Sequence, residues 1–268
     1  EVTAVYRDEQ SGELSGLSRV RVITQDDAHV FCRMPQVEKE AFTVWDIVDK
    51  FYKPFKMPLT VRFSRHDPAH MEKYLGTPEI WKKAESQLLA LVKKRKVTYI
   101  DGLGEAAIYG PKIDFIAKDS LGREWQLATI QLDFNLPERF NLTCVNEEGK
   151  DERVVMIHRA ILGSVERFMA ILIEHYAGAF PLWLAPVQVA VLPIGKSHKV
   201  YARQVKKSLD HANIRNIVRD DDETIGKKIR ECEMQKIPYL LIVGDKEKSK
   251  KTVAVRQRGK GDIGATKL

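Results

Sequence analysis

The chain of 268 residues is 44% hydrophobic and 30% charged, a balance that is typical of globular proteins and excludes a disordered chain. No apolar run approaches the roughly 20 residues needed to cross a bilayer, no leader-like segment opens the sequence, and the three widely spaced cysteines form no disulfide framework and fit a reducing compartment. The net charge of +7 divides into +9 for residues 181–268 and −2 for residues 1–180, which predicts a polyanionic partner for the tail unless its lysines only solvate the surface.

The first 31 residues predict two strands separated by a polar loop. A strand over residues 2–6 precedes a Gly-rich loop, residues 8–16, and a second strand over residues 19–31. Because side chains alternate across a strand, one face of the second strand collects polar groups, and that face is either solvated or lines a cavity. Its polar members are Arg19, Arg21, Gln25, Asp27 and His29.

Two helices and a hairpin follow. Apolar spacing predicts both helices, and Thr77 and Pro78 are favourable residues for the start of the second one. Alternating apolar residues on both sides of a polar turn predict the hairpin. The predicted segments are helices 35–51 and 78–94, hairpin strands 113–117 and 125–134, and a turn at 119–122.

An apolar segment that precedes the tail predicts a buried helix. Residues 156–158 form a short strand end, and residues 159–176 are apolar almost all round, as in a buried helix. Arg167 lies inside this run, and a buried arginine requires an anionic partner. That partner is either a carboxylate of the protein or a bound phosphate or carboxylate.

The tail alternates strands with helices, which predicts a small α/β domain after a junction at residues 179–186. The predicted strands are 187–192, 214–218, 239–243 and 252–256, and the predicted helices are 198–212 and 223–235.

Seven spaced segments carry a recognisable pattern: YRDEQSGELSGLSRVRVITQDDAHVFC (6–32), YGPKIDF (109–115), TIQLDF (129–134), MIHRAILGSVERF (156–168), WLAPVQV (183–189), GDKE (244–247) and VAVR (253–256). In this order they resemble the threonyl-tRNA synthetases, which are class II aminoacyl-tRNA synthetases. The first segment resembles motif 2 of the class and residues 156–168 resemble motif 3. Motif 1, which forms the dimer interface, precedes motif 2 in the family and has no match, so the resemblance is to an N-terminally truncated fragment.

The resemblance implies a fold and a function. The implied fold is α+β: a class II antiparallel sheet flanked by helices over residues 1–180, then an α/β anticodon-binding domain with a mixed sheet over residues 181–268. The implied function is threonine–tRNA ligase activity in the cytoplasm, with ATP and Mg²⁺, threonine and tRNA-Thr as ligands and a homodimer as the intact form. The alternative interpretation is a non-catalytic synthetase-like protein that binds tRNA.

The resemblance also assigns roles in ATP binding. Arg7 would bridge the substrate carboxylate and the α-phosphate, Glu9 would lie near the adenine, and Arg19 near the phosphates. Arg167 would contact the terminal phosphate, which would supply the anionic partner required above. Arg7, Lys112 and Arg167 are the implied catalytic residues.

The family's second feature is a zinc ion that binds the amino acid. An apolar pocket separates threonine from the nearly isosteric valine by only about 100-fold, whereas a metal with an open position can ligate the threonine hydroxyl. His29 and His158 match the two histidine ligands, and the third ligand, a cysteine upstream of motif 2, has no match in this chain. Implied threonine-binding residues are Gln25, Asp27, Tyr109, Gln126 and Gln131.

Two of these residues cannot share a face of a regular strand. Gln126 and Gln131 are five positions apart, so either a bulge lies between them or one points away from the pocket. In the tail, Glu247 and Arg256 match the family's anticodon-reading positions, although exposed charges of this kind also occur on ordinary surfaces.

Overall fold

The chain forms two units, each around its own β-sheet, in the computed structural model, which describes residues 1–267. The first unit is Glu1–His175, and the second begins at Tyr176. The elements of the first unit are β1 Thr3–Tyr6, β2 Val22–Cys32, α1 Val37–Tyr52, β3 Thr60–Arg65, α2 Pro78–Arg95, β4 Tyr99–Leu103, β5 Lys112–Lys118, β6 Glu124–Asp133, α3 Asn135–Arg139, β7 Thr143–Val145, β8 Asp151–Arg153, β9 Val155–Ser164 and α4 Val165–His175.

The first unit contains a seven-stranded sheet in the order β1-β2-β9-β6-β5-β3-β4. All neighbours are antiparallel except β3 and β4, which are parallel, so the predicted antiparallel sheet with flanking helices is confirmed. Helix α1 packs on one face, where Trp45 meets Phe115 edge to face at 5.1 Å and the Tyr52 hydroxyl donates to the Ile161 carbonyl at 2.8 Å. Because successive side chains of a strand point to opposite faces of the sheet, every second side chain points away from α1. The face opposite α1 is therefore available for a site.

The second unit contains a five-stranded mixed sheet in the order β11-β10-β12-β13-β14. Strand β10, second in this order, is buried over its whole length and lies parallel to β11 and β12, whereas β13 and β14 add on antiparallel. This arrangement confirms the predicted mixed sheet. Its elements are β10 Val189–Pro193, α5 Lys199–His211, β11 Asn216–Val218, α6 Ile225–Met234, β12 Tyr239–Val243, α7 Asp245–Lys250, β13 Thr252–Gln257 and β14 Gly261–Lys267.

One predicted helix is wrong in its first third. Residues 159–164 belong to β9, and helix α4 begins only at Val165. Strand β9 lies between β2 and β6 in the middle of the sheet, so apolar residues are buried on both of its faces. A short run that is apolar on every side looks the same in a buried strand and in a buried helix, which is why periodicity could not separate them.

The second predicted strand starts later than expected. Strand β2 begins at Val22, and Arg19 and Arg21 lie in the preceding loop, where Arg19 forms an isolated bridge with Ser15. The tail also has two elements that the sequence pattern did not indicate, α7 and β14. Within residues 1–267, none of the helices combines the length and the apolar character that crossing a bilayer requires.

Candidate active site

A polar cavity of about 150 Å³ lies on the sheet face that α1 leaves open. It is bounded by strands β2, β6 and β9, by the first turn of α4, and by the loop that precedes β2. We call it the arginine cavity, because three guanidinium groups reach it. Its lining residues are Arg7, Glu9, Arg19, Val20, Ile23, Gln25, Gln126, Leu127, Thr129, Gln131, Ala160, Gly163, Ser164 and Arg167.

An irregularity in β6 brings both glutamines to this cavity. Across the β5–β6 pair, Phe115 is opposite Ala128 but Ile116 is opposite Gln126, so Leu127 is an extra residue. The bulge shifts the pleat by one position, and both Gln126 and Gln131 line the cavity. The first of the two alternatives for the glutamine pair is therefore confirmed.

A second irregularity lies in the neighbouring strand pair. Gln25 is opposite Ser164 and Asp27 is opposite Ala160, so only Asp26 of β2 faces residues 161–163 of β9. The Asp26 carboxylate accepts hydrogen bonds from the three backbone N–H groups of residues 161–163, at 2.9–3.1 Å. Asp26 thus satisfies the N–H groups that the irregular strand leaves unpaired. The spacing of residues in the sequence did not predict this role.

The three arginines at the cavity differ in their carboxylate partners. Glu9 and Glu13 pair with Arg19, at 2.9 and 3.1 Å. In the described part of the chain, neither Arg7 nor Arg167 has a carboxylate within ion-pair distance. Burial, together with the neighbouring Arg7 and Arg19 guanidiniums, lowers the pKa of Arg167. Arg7 and Arg167 are therefore the two guanidiniums that suit an anionic ligand.

Arg167 is held by contacts that leave its charge uncompensated. Its Nε donates to the Ser18 carbonyl at 2.9 Å, and its guanidinium carbon lies 5.5 Å from the centroid of the Trp125 ring. Its backbone N–H donates to Ser164 Oγ at 3.2 Å in the first turn of α4. The structure therefore gives Arg167 no carboxylate partner among residues 1–267, which favours the bound-anion alternative over a structural ion pair.

The two predicted metal ligands are neighbours. His29 and His158 are opposite each other across β2 and β9, and their ring centroids are 4.6 Å apart. His158 Nε2 is 2.9 Å from an oxygen of the buried Asp133 carboxylate, and His29 Nε2 is 3.9 Å from an oxygen of Asp27. Among residues 1–267, no three His, Cys, Asp or Glu side chains are grouped so that they could hold a metal ion.

A chain of hydrogen bonds leads from the histidine pair into the sheet. The Tyr109 ring stacks at 4.6 Å on His158, and its hydroxyl bonds to Gln131 Oε1. Gln131 Nε2 then donates to Thr129 Oγ1 at 3.4 Å, and Thr129 donates to Asp114 at 2.9 Å. Burial, with the nearby Asp133 and Asp27 carboxylates, raises the pKa of Tyr109 to about 12.

The end of this chain is a fully buried carboxylate. Asp114 has no exposed side-chain surface, and it also accepts from Ser64 at 2.7 Å and pairs with Lys112 at 3.1 Å and Arg62 at 3.2 Å. The predicted site residue Lys112 is therefore tied to the same network as Gln131. Asp114, Thr129 and Asp133 were missed by sequence reasoning, although all three lie inside the quoted segments 109–115 and 129–134.

The predicted tail residues lie on two elements of the second unit. Glu247, in α7, accepts from the Gly244 N–H at 2.9 Å and so caps its own helix. Arg256, in β13, is 3.4 Å from Glu233, and its buried Nε has no hydrogen-bond partner among the described residues.

Comparison with known proteins places both units in described families. Residues 1–176 match the tRNA synthetase class II core domain (G, H, P, S and T), and residues 188–268 match the anticodon binding domain. Threonine–tRNA ligase of Phocaeicola vulgatus is 51% identical over 269 residues, which cover 100% of this chain and 42% of the relative. The threonine–tRNA ligase of Carboxydothermus hydrogenoformans is 50% identical over 264 residues, covering 98% of this chain and 41% of the relative.

A solved structure is similar over both units. The crystal structure of the RNA binding domain of threonyl-tRNA synthetase from Cryptosporidium parvum Iowa II aligns with a TM-score of 0.91 and 39% sequence identity. The alignment covers 99% of this chain and 66% of that one. This chain thus spans about two fifths of the length of the curated relatives that it matches.

Proposed function

The chain belongs to the class II tRNA synthetases, and from that premise we propose that it carries the ATP- and threonine-binding part and the anticodon-reading part of a threonine–tRNA ligase. The observation that supports this most is the convergence of Arg7, Arg19 and Arg167 on one cavity with few opposing carboxylates. This cavity is the proposed site of the ATP triphosphate with its Mg²⁺.

In the proposed reaction, a carboxylate oxygen of threonine attacks the α-phosphorus of ATP. A phosphorus–oxygen bond forms, the bond to the β-phosphate oxygen breaks, and pyrophosphate leaves with the displaced electron pair. Arg7 would neutralise charge at the carboxylate and α-phosphate, and Arg167 would hold the leaving phosphates. Catalysis then depends on positioning and on preorganised positive charge, with no covalent step on the protein. Glu9, already paired with Arg19, would lie at the adenine end.

The threonine site proposed here adjoins the arginine cavity. Gln25, Gln126 and Gln131 lie at the cavity wall, and their amides can bond the carboxylate and amino groups of the substrate. Tyr109 donates its hydroxyl hydrogen to Gln131 Oε1 and so orients the amide group that faces the substrate. Asp27 would accept the substrate hydroxyl, which valine lacks.

The histidine pair fits part of a zinc site. A catalytic zinc site has three protein ligands and an open position, and His29 and His158 would supply two of them. The hydrogen bond from His158 to Asp133 is the orientation that a carboxylate gives to a metal-binding imidazole, and it leaves the other ring nitrogen for the metal. When bound, zinc would ligate the amino group and hydroxyl of threonine. The cysteine that the resemblance implies as the third ligand has no counterpart among residues 1–267.

Lys112 and the tail residues complete the proposal. Lys112, fixed by Asp114, would place an ammonium group near the reacting phosphate. Glu247 and Arg256 would read unpaired anticodon bases of tRNA-Thr, while the excess lysines of residues 181–268 attract its backbone. We further propose that the intact protein acts in the cytoplasm as a homodimer, as the resemblance to its family implies.

Amino-acid-dependent ATP–pyrophosphate exchange tests the proposal. It is measured on this chain and on a longer protein containing it, with threonine, serine and valine, and with Arg7→Ala as the inactive control. We expect threonine to support exchange, valine not to, and Arg7→Ala to abolish it. Absence of exchange in both proteins, with tRNA binding retained, would favour the non-catalytic tRNA-binding alternative.

A further inference from the structure

We propose that Trp125, held in place by Asp119, is a positioning residue that aims the Arg167 guanidinium at the phosphates of the nucleotide. This inference rests on the proposed function, in which Arg167 contacts ATP. Trp125 is the second residue of β6, the return strand of the β5–β6 hairpin, next to Gln126 in sequence, and it is half-buried.

Arg167 needs such a support because its electrostatic surroundings are unfavourable. It is partly buried close to two other guanidinium groups, those of Arg7 and Arg19. Among the described residues, this repulsion is opposed by the nearby Glu9 carboxylate, by a side-chain hydrogen bond to the Ser18 carbonyl, and by the Trp125 ring 5.5 Å away. The face of an indole attracts a cation without neutralising it, so Trp125 can fix the guanidinium while leaving its charge for a phosphate.

Trp125 is itself fixed by a buried carboxylate. Its indole N–H donates to Asp119 Oδ2 at 2.8 Å, and Arg123 Nε donates to the same oxygen at 2.5 Å. The other oxygen, Asp119 Oδ1, accepts from the backbone N–H groups of Leu121 and Arg123, at 3.0 and 2.9 Å. Asp119 is therefore the centre of the 119–122 turn, and the turn sets the plane of the indole.

The charge on Asp119 is constant near neutral pH. Burial raises its pKa, but the hydrogen bonds from Trp125 and Arg123 outweigh that effect and lower the pKa to about 2. An ionised carboxylate makes a stronger bond to the indole N–H than a neutral group would. The series Asp119, Trp125, Arg167 thus connects a rigid turn to a cation at the arginine cavity.

The test compares ATP with AMP, which lacks the terminal phosphates. Affinities of the full 268-residue chain are measured by isothermal titration calorimetry at constant salt. We expect Trp125→Leu to weaken ATP binding about tenfold, the change that a cation–π contact of ordinary strength gives, and to leave AMP binding unchanged. Trp125→Phe, which keeps an aromatic face, is expected to retain most of the affinity. Leu121→Ala, in the same turn but with an exposed side chain, is the matched control and should change neither.

A double-mutant cycle separates positioning from general packing. If Trp125 acts through Arg167, Trp125→Leu has no further effect on ATP binding once Arg167 is alanine. Equal losses for ATP and AMP, or additive losses in the two variants, would overturn the inference.

The cycle depends on nucleotide binding, so a structural measurement distinguishes failure of the inference from failure of the proposed function. If the unmodified chain binds no ATP, the proposed function is contradicted for this chain. The crystal structure of Trp125→Leu then decides the inference: a displaced Arg167 guanidinium supports it, and one still bound to the Ser18 carbonyl overturns it.

Discussion

Asp114→Asn is expected to destabilise the first unit by about 3 kcal/mol, the lower end of the range for removing one partner of a buried ion pair. The asparagine keeps the size of the side chain but removes a charge that is completely buried and paired with Lys112 and Arg62. The expected loss is at the low end because both cations are partly exposed, and because Arg62 has a second partner, Glu105, at 3.5 Å.

Urea unfolding of the full chain measures this effect. Trp45 and Trp81, both buried in the first unit, give a fluorescence signal for its transition. Asp101→Asn is the matched control, since Asp101 pairs with Arg65 on the same sheet but is half exposed, and an exposed pair contributes about 0–1 kcal/mol. A loss for Asp114→Asn no larger than that of Asp101→Asn would refute the argument that burial makes the Asp114 network important.

Three further changes have definite expected outcomes. Gly163→Ala should destabilise the first unit by about 2 kcal/mol or more, because φ is +75° and the added Cβ would lie 2.5 Å from the Leu127 carbonyl oxygen; unfolding equal to that of the unmodified chain would contradict this. Burial raises the pKa of Tyr109 to about 12, so its contribution to the free energy of unfolding is fully present below pH 10 and is lost between about pH 10 and 12. Burial also raises the pKa of Tyr52, Tyr176 and Tyr201, so several phenols should titrate late in alkaline difference absorbance, and Tyr109→Phe should remove one of them. Arg256→Ala should weaken tRNA binding without changing ATP binding, and equal losses of both would indicate misfolding instead.

Local signals in the sequence were sufficient for most elements. The helix at residues 78–94 was predicted from its cap and its apolar spacing, and Thr77 does accept the Ile80 N–H, at 3.5 Å. The hairpin around residues 119–122 followed from turn residues between alternating apolar runs. Its turn is further stabilised by Asp119, whose side chain bonds to residues two and four positions later.

Elements whose environment is set by distant strands could not be predicted in this way. Residues 159–164 were assigned to a helix, because nothing in the local sequence indicates that this segment pairs with β2 on one edge and with β6 on the other. Strand β14 is polar and glycine-containing, with no alternation of apolar residues, and it is defined by its pairing with β13.

The site residues divide along the same line. Residues proposed to contact a ligand were assigned by resemblance, and all of them except Gln126 lie inside the matching segments. Residues that hold them, such as Asp26 and Asp114, act through contacts 137 and 50 positions away in sequence. Such contacts are visible only once the strands are aligned, so a single sequence carries little signal for them.

The two strand irregularities depend on each other, and together they explain why the cavity exists. The bulge at Leu127 turns its carbonyl toward β9, and only a residue without a Cβ can stand opposite, which is Gly163. Gly163 in turn lies in the stretch of β9 whose free N–H groups Asp26 accepts. A regular pleat in either strand would remove Gln126 from the cavity or displace the start of α4, and with it Arg167. The positions of a glutamine on one strand and an arginine on a helix are therefore linked through one close backbone approach, and Gly163→Ala is expected to weaken ATP binding as well as to lower stability.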